Sequence, residues 1–255
     1  MTEALFYKIL WGWMGLAVAT FILLFFVSAP YGRHGRKGWG PTLSSTAGWV
    51  IMEAVSLLAL PVLFITGRES HGFADPAKWV FLTLWVAHYF QRTIIFPFRR
   101  KGSGRDMALS VVLMAAAFNI INAGSNGYYL FHLAPDYGDA WLTDPRFLVG
   151  VALFITGMMV NIHSDSILLN LRGPGKPRYS IPRGGLFRWV TSPNYLGEIL
   201  EWVGWALATW SLAGAAFAVW TIANLAPRAR THHRWYKNKF DDYPQKRKVL
   251  VPYLW

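Results

Sequence analysis

The chain contains no cysteine, which excludes disulfides, thiol nucleophiles and cysteine-ligated metals. Charge is scarce as well: Asp, Glu, Lys and Arg make up 15% of 255 residues, with 13 acids against 25 bases. A soluble domain carries more charge than this. The seven histidines stand singly except for His232-His233. They are too few for the histidine boxes of a membrane di-iron centre, so no metal is expected. No Gly-x-Gly-x-x-Gly follows a strand pattern and there is no P-loop, so any nucleotide is held without a Rossmann or Walker turn. No internal repeat, low-complexity tract or separate soluble domain is visible.

What the chain has instead is apolar and aromatic: 54% hydrophobic residues and 14 Trp. The apolar residues come in blocks long enough to cross a membrane. They predict an all-α integral membrane bundle of seven helices at about 7–28, 45–66, 78–98, 108–131, 147–170, 194–210 and 212–226. A cytoplasmic tail follows at 227–255, and residues 1–255 form a single domain. The split of the last block rests on a tight turn in Trp210-Ser211-Leu212-Ala213-Gly214. The first block, Leu10–Val27, is followed by small residues as in a signal peptide. Its length and the acid Glu3 favour a retained helix.

Loop charge orients the helices. Loop 31–44 carries Arg33, Arg36 and Lys37. Loop 99–106 carries Arg99, Arg100, Lys101 and Arg105 against Asp106. Loop 171–193 carries Arg172, Lys176, Arg178, Arg183 and Arg188 with no acid. Loop 67–78 is mixed, with Arg68 and Lys78 against Glu69 and Asp75, and loop 132–146 is acidic. Basic and non-basic connections thus alternate, which places the N-terminus outside and the C-terminus in the cytoplasm. The net charge of +12 then reflects orientation and anionic ligands, and no nucleic-acid partner is expected.

Ionisable groups inside apolar helices are candidates for function. Glu53 lies about nine residues into helix 2, and Tyr89 about nine residues before the cytoplasmic end of helix 3. At ~1.5 Å rise per residue both sit roughly 13 Å below one membrane face. A carboxyl beside a phenol can hold it as a hydrogen-bond donor to a ketone. The plainer alternative is a structural Glu bonded to a neighbouring helix.

A denser polar set marks the cytoplasmic helix ends. Asn161 and Asp165 are one turn apart, with Arg172 seven residues further along the same face. Asn194 and Glu198 repeat the spacing, followed by Glu201. His232 and Tyr236 repeat it again after Arg228. Amides, carboxylates and arginines together suit a nucleotide. Helix capping and lipid-headgroup binding are the alternatives.

Several stretches resemble the steroid 5α-reductase family. They are Asn161-Ile162-His163-Ser164-Asp165, Leu171-Arg172-Gly173-Pro174-Gly175, Ile181-Pro182-Arg183-Gly184-Gly185-Leu186-Phe187, Pro193-Asn194-Tyr195-Leu196-Gly197-Glu198 and His232-His233-Arg234-Trp235-Tyr236. Trp49 with Glu53, His88-Tyr89-Phe90-Gln91-Arg92-Thr93 and Asp242-Tyr243-Pro244 belong to the same pattern. The similarity runs from about residue 30 to the C-terminus. Its C-terminal pieces alone are shared in looser form with sterol reductases and isoprenylcysteine methyltransferases.

The resemblance implies a membrane enzyme that uses NADPH to reduce the double bond of a 3-keto-Δ4 steroid. It implies Glu53 and Tyr89 at the substrate carbonyl, with Trp49 and Trp202 lining the steroid pocket. Asn161, Asp165, Arg172, Tyr179, Asn194, Glu198, Arg228, His232 and Tyr236 would hold the cofactor. The pattern is broken at Met52, at Ser180, where a basic residue is usual, and through loop 99–106; Arg178 is expected to supply the missing charge. A monomer in contact with membrane lipid is expected, in a bacterial inner membrane or the endoplasmic reticulum. A membrane methyltransferase using S-adenosylmethionine would leave Glu53 and Tyr89 without a role. A lipid transporter would show broken helices or repeats.

Overall fold

The computed structural model describes residues 1–27, 39–67, 74–100, 106–172, 175, 177 and 179–255. Outside these residues lie Arg33, Arg36, Lys37, Arg68, Glu69, Lys101, Arg105, Lys176, the Gly173-Pro174 step and Arg178, all named above. The described residues are overwhelmingly helical: α1 (Glu3–Phe26), α2 (Ser45–Thr66), α3 (Pro76–Phe90), α4 (Phe96–Arg99), α5 (Leu109–Tyr128), α6 (Gly138–Trp141), α7 (Pro145–Asn170), α8 (Pro193–Thr209) and α9 (Leu212–Lys239). A two-stranded ribbon, β1 (Thr42–Ser44) with β2 (Asp106–Ala108), is the small departure from an all-α chain.

Among the described residues, four stretches are long and apolar enough to cross a membrane: Glu3–Phe26, Ser45–Thr66, Leu109–Leu133 and Pro145–Asn170. Their outer faces carry large apolar side chains, among them Trp11, Leu58, Leu113 and Met159, while Asn119, Asn122 and Asn126 of α5 are buried. Apolar outside and polar inside is the arrangement lipid demands. By themselves α3 and α8 are shorter, at 15 and 17 residues. α9 runs on through Pro227 to Lys239, so the segment expected as a tail from 227 begins as helix.

The chain divides into two compact units. The first comprises 1–6, 30–148 and 209–213. Here Ser44 caps α2, accepting from the Ala47 N–H at 3.2 Å. Asp75 caps α3, accepting from Ala77 at 3.0 Å, with Pro76 in the first turn. α2 and α5 run parallel. Gly48 lies against Val112, and Gly127 lies against Leu60 and Leu63. β1 and β2 pair just before these two helices start, so the ends of loops 31–44 and 99–106 meet at one end of the pair. At the other end Gly67 abuts the Phe131 carbonyl. There Asp75 also accepts from the Tyr137 N–H at 2.6 Å. Lys78, expected as a loop charge, is 0% exposed and bonded to Asp136 at 3.2 Å. Asp144 grips Arg146 through both carboxylate oxygens, at 2.9 and 2.8 Å, which holds its pKa at about 2.

The second unit comprises 7–29, 149–208 and 214–255. α7 and α8 are antiparallel and pack backbone to backbone at two glycine pairs. A Cβ on Gly157 would lie 2.5 Å from the Gly197 carbonyl oxygen, and one on Gly204 would lie 2.5 Å from that of Gly150. Small residues at matched spacing permit this approach in membranes, where no hydrophobic force draws helices together. α1 packs on α9 through Trp13 and Trp220, with ring centroids 4.6 Å apart. Phe21 packs against Ala226, Ala229 and Leu250.

Candidate active site

Each unit carries one polar cluster. In the first, two indole hydrogen bonds fix the register of α2 against the chain from α3 onward. Trp85 donates to the Ser56 carbonyl at 2.9 Å and Trp49 donates to the Arg92 carbonyl at 2.9 Å. Both follow one antiparallel register, and between them Glu53 falls opposite His88 and beside Tyr89. Tyr89 is 3% exposed and its ring packs against Trp85 at 4.9 Å and His88 at 4.8 Å. Glu53 is half-buried. From α5, Asn119 donates to the carbonyl of Met52 at 2.6 Å, tying down the backbone that presents Glu53.

The helix widens immediately after Tyr89 into a π turn, Gln91–Ile95, in which the Phe96 N–H reaches the Gln91 carbonyl. Pro97 supplies a cause: it has no N–H for the Thr93 carbonyl, and its ring crowds that carbonyl in a regular helix. Below the turn the Trp49 ring is flanked by the guanidinium groups of Arg92 and Arg100, 5.0 and 5.3 Å from its centroid.

The second cluster is a product of the glycine seam. Close backbone contact brings the last turns of α7 against the first turn of α8. Asn161 donates to the Asn194 carbonyl at 3.0 Å and to the Glu198 carboxylate at 3.4 Å. Asn194 in turn donates to Asp165 at 3.0 Å. Four of the sequence candidates are therefore joined directly. On α9, Arg228 and His232 both lie against the ring of Tyr195, with centroid distances of 5.6 and 5.5 Å. Tyr179 packs on Trp235 at 4.9 Å, and Tyr236 stacks on Tyr243 at 5.6 Å.

Two candidates are placed differently from the rest. Arg172 is exposed just past the end of α7. Trp202 is 1% exposed, packed among Phe154, Trp205 and Phe217 with centroids 5.8, 6.3 and 4.0 Å away. Tyr195 was missed because it reads as the spacer between Asn194 and Glu198. Thr191, three residues before Asn194, gave no signal beyond its closeness to the motif. Among the described residues no group of three or more His, Asp or Glu is placed to hold a metal.

A family model described as 3-oxo-5-alpha-steroid 4-dehydrogenase matches residues 105–255. The chain is 45% identical over 246 residues to the 3-oxo-5-alpha-steroid 4-dehydrogenase 1 of Bos taurus, covering 94% of this chain and 93% of that protein. It is 42% identical over 244 residues to the steroid 5-alpha-reductase DET2 of Gossypium hirsutum, with the same coverage. The Homo sapiens 3-oxo-5-alpha-steroid 4-dehydrogenase 1 is 46% identical over 224 residues, covering 88% of this chain and 85% of that protein. The chain belongs to the 3-oxo-5-alpha-steroid 4-dehydrogenase family. The reductase is thus an oxidoreductase of the class acting on CH–CH groups. Its match to animal and plant relatives extends well N-terminal of residue 105, into the helices that carry Glu53 and Tyr89.

Proposed function

We propose that the reductase uses NADPH to convert a 3-keto-Δ4 steroid to its 5α-reduced product. It would act as one domain of seven membrane-spanning helices, monomeric, with the N-terminus outside and the C-terminus cytoplasmic, in a bacterial inner membrane or the endoplasmic reticulum. The ribbon between β1 and β2 and the Lys78–Asp136 pair support that topology, since each ties two connections expected on one side.

The second cluster has the donor set a dinucleotide calls for. Asp165 and Glu198 offer acceptors for ribose hydroxyls, Asn161 and Asn194 offer amides, and Arg228 and Arg172 offer charge for phosphates. Tyr179, Tyr236 and His232 add planar surface. When bound there, NADPH supplies a hydride for carbon 5 of the steroid.

The protein's own contribution at the steroid is electrostatic. Tyr89 donates a hydrogen bond to the ketone oxygen, and the Glu53 carboxyl keeps that phenol in the donating orientation. Negative charge grows on the oxygen as carbon 5 is reduced. A donor aimed there in a dry pocket stabilises that charge far more than water does. Protonation of carbon 4 completes the reduction. Trp49, one turn from Glu53, walls the steroid on this side. The observation that carries this division of labour is the shared level of Glu53 and Tyr89, bracketed by the two indole hydrogen bonds.

The test is purified protein in detergent with NADPH and a 3-keto-Δ4 steroid. Loss of the reduced nicotinamide absorbance and a product heavier by two hydrogens are expected. Binding of S-adenosylmethionine with no NADPH oxidation would point to the methyltransferase alternative instead.

A further inference from the structure

Residues 242–250 meet three of the stretches that carry or flank the proposed cofactor cradle: 179–183, the lead-in to α8, and α9. Arg247 donates to the Pro182 carbonyl at 3.2 Å, three residues from Tyr179. The Lys248 N–H reaches the Trp189 carbonyl at 2.7 Å, and the Thr191 N–H reaches the Lys248 carbonyl at 2.9 Å. That pairing lies just ahead of Asn194. On α9, Tyr243 stacks on Tyr236 and packs edge-on against His233, centroids 5.6 and 5.8 Å apart. His233 directly follows His232.

One hydroxyl sits where these contacts converge. Thr191 Oγ1 lies 2.6 Å from His233 Nδ1, 2.7 Å from the Tyr243 hydroxyl and 3.1 Å from the Lys248 carbonyl oxygen. Thr191 is 3% exposed and Tyr243 2% exposed, so neither hydroxyl can trade its partner for water. A hydroxyl has one proton and two acceptor sites. Thr191 donates its proton to the Lys248 carbonyl, and its two acceptor sites then take the Tyr243 hydroxyl and a neutral His233 protonated at Nδ1. Burial favours these states. It lowers the His233 pKa, helped by Lys237 and Arg247, and it raises that of Tyr243.

We infer that Thr191 and Tyr243 are positioning residues for the cofactor: through their shared hydrogen bond the C-terminal segment clasps α9 to the start of α8 and sets His232 and Tyr236 relative to Asn194 and Glu198. The inference rests on the cradle reading above. Neither residue touches the cofactor in this account. Removing the hydroxyl strands buried polar partners and loosens the spacing of the cradle, and the hydride step itself is left intact.

The experiment compares Thr191→Val, Thr191→Ser and Tyr243→Phe with the parent protein. NADPH affinity is read by fluorescence titration, and turnover is measured at saturating NADPH. Thr191→Val should weaken NADPH binding about tenfold, with turnover at saturation within about twofold of the parent. Thr191→Ser, which keeps the hydroxyl, should restore affinity. Parental affinity in Thr191→Val, or equal weakness in Thr191→Ser, overturns the inference. Should Thr191→Val not fold, Tyr243→Phe decides: it removes one O–H and should weaken binding several-fold, and unchanged affinity overturns the clasp. A parent that binds no NADPH overturns the cradle and the clasp together, whereas a binding parent with indifferent variants overturns the clasp alone.

Discussion

The indole N–H of Trp85 is bonded to the carbonyl of Ser56 at 2.9 Å, and this one contact sets which residues of α2 and α3 share a level. A bulky donor reaching a backbone acceptor leaves the register little room to slip. One turn towards Trp49, the same register brings Glu53 to the level of His88 and Tyr89.

Turnover should depend on both members of that pair. Glu53→Gln and Tyr89→Phe are each expected to lower it at least ~100-fold, about 2.7 kcal/mol of transition-state stabilisation. NADPH affinity should be nearly unchanged. Parental turnover in folded Tyr89→Phe would remove the carbonyl-polarising role.

The cofactor cluster predicts the opposite pattern. Asn194→Ala breaks the link between Asp165 and the start of α8, and His232→Ala removes the ring against Tyr195. Both should weaken NADPH binding, as should Arg172→Ala, while the melting temperature stays within a few degrees of the parent. Unaltered NADPH titrations in all three would show that this cluster serves another purpose.

The glycine seam makes a stability prediction. Gly157→Val would drive a branched side chain into the backbone of α8. Overpacking of this kind costs about 1–3 kcal/mol, and the added bulk should also spread Asn161 from Asn194. Lowered thermal stability together with weakened NADPH binding is expected. Gly124→Ala, where no atom lies within 4 Å of the added Cβ, is the control and should change neither.

Acid should loosen the clasp. The folded protein resists protonating His233 below its ordinary value of 6.5, because of burial, Lys237 and Arg247. The unfolded chain has no such resistance. The resulting stability is fully present above 6.5 and is lost as pH falls through the lower folded value. Melting temperature should therefore fall with acidification more steeply in the parent than in His233→Asn. Identical slopes would mean that His233 does not titrate between the two states.

Topology can be read with single cysteines, since the chain has none of its own. Lys78 is too buried for labelling, so exposed Ala74 and Asp139 report the proposed outer side, and Gln245 and Lys248 the inner. An impermeant thiol reagent on intact cells should label only Ala74→Cys and Asp139→Cys. Labelling at Lys248→Cys would put the proposed cradle out of reach of cytoplasmic NADPH.

The level of Glu53 and Tyr89 was legible from sequence because helix rise is fixed and apolar blocks announce their ends. The i, i+4 pairs on α7 and α8 were legible for the same reason. What joins them was not. Gly157 and Gly197 stand 40 positions apart, and nothing local says that they touch. Lys78 read as a loop cation because its partner, Asp136, is 58 residues away. Pro227 read as a stop, yet the helix continues through it. Thr191 is ordinary in sequence and acquires meaning only where His233 and Tyr243 arrive beside it.

The π turn after Tyr89 holds one residue more than a regular helix needs. It absorbs that extra residue, so α3 with Tyr89 and α4 beyond the turn keep their facings on what is otherwise one rod. A single-residue deletion in α3 between Trp85 and Tyr89 would have nothing to absorb it. It would turn Tyr89 against Trp85 by about 100°. Such a chain would hold every part of the proposed chemistry and aim it wrongly, a lesion of phase that no inventory of its residues would reveal.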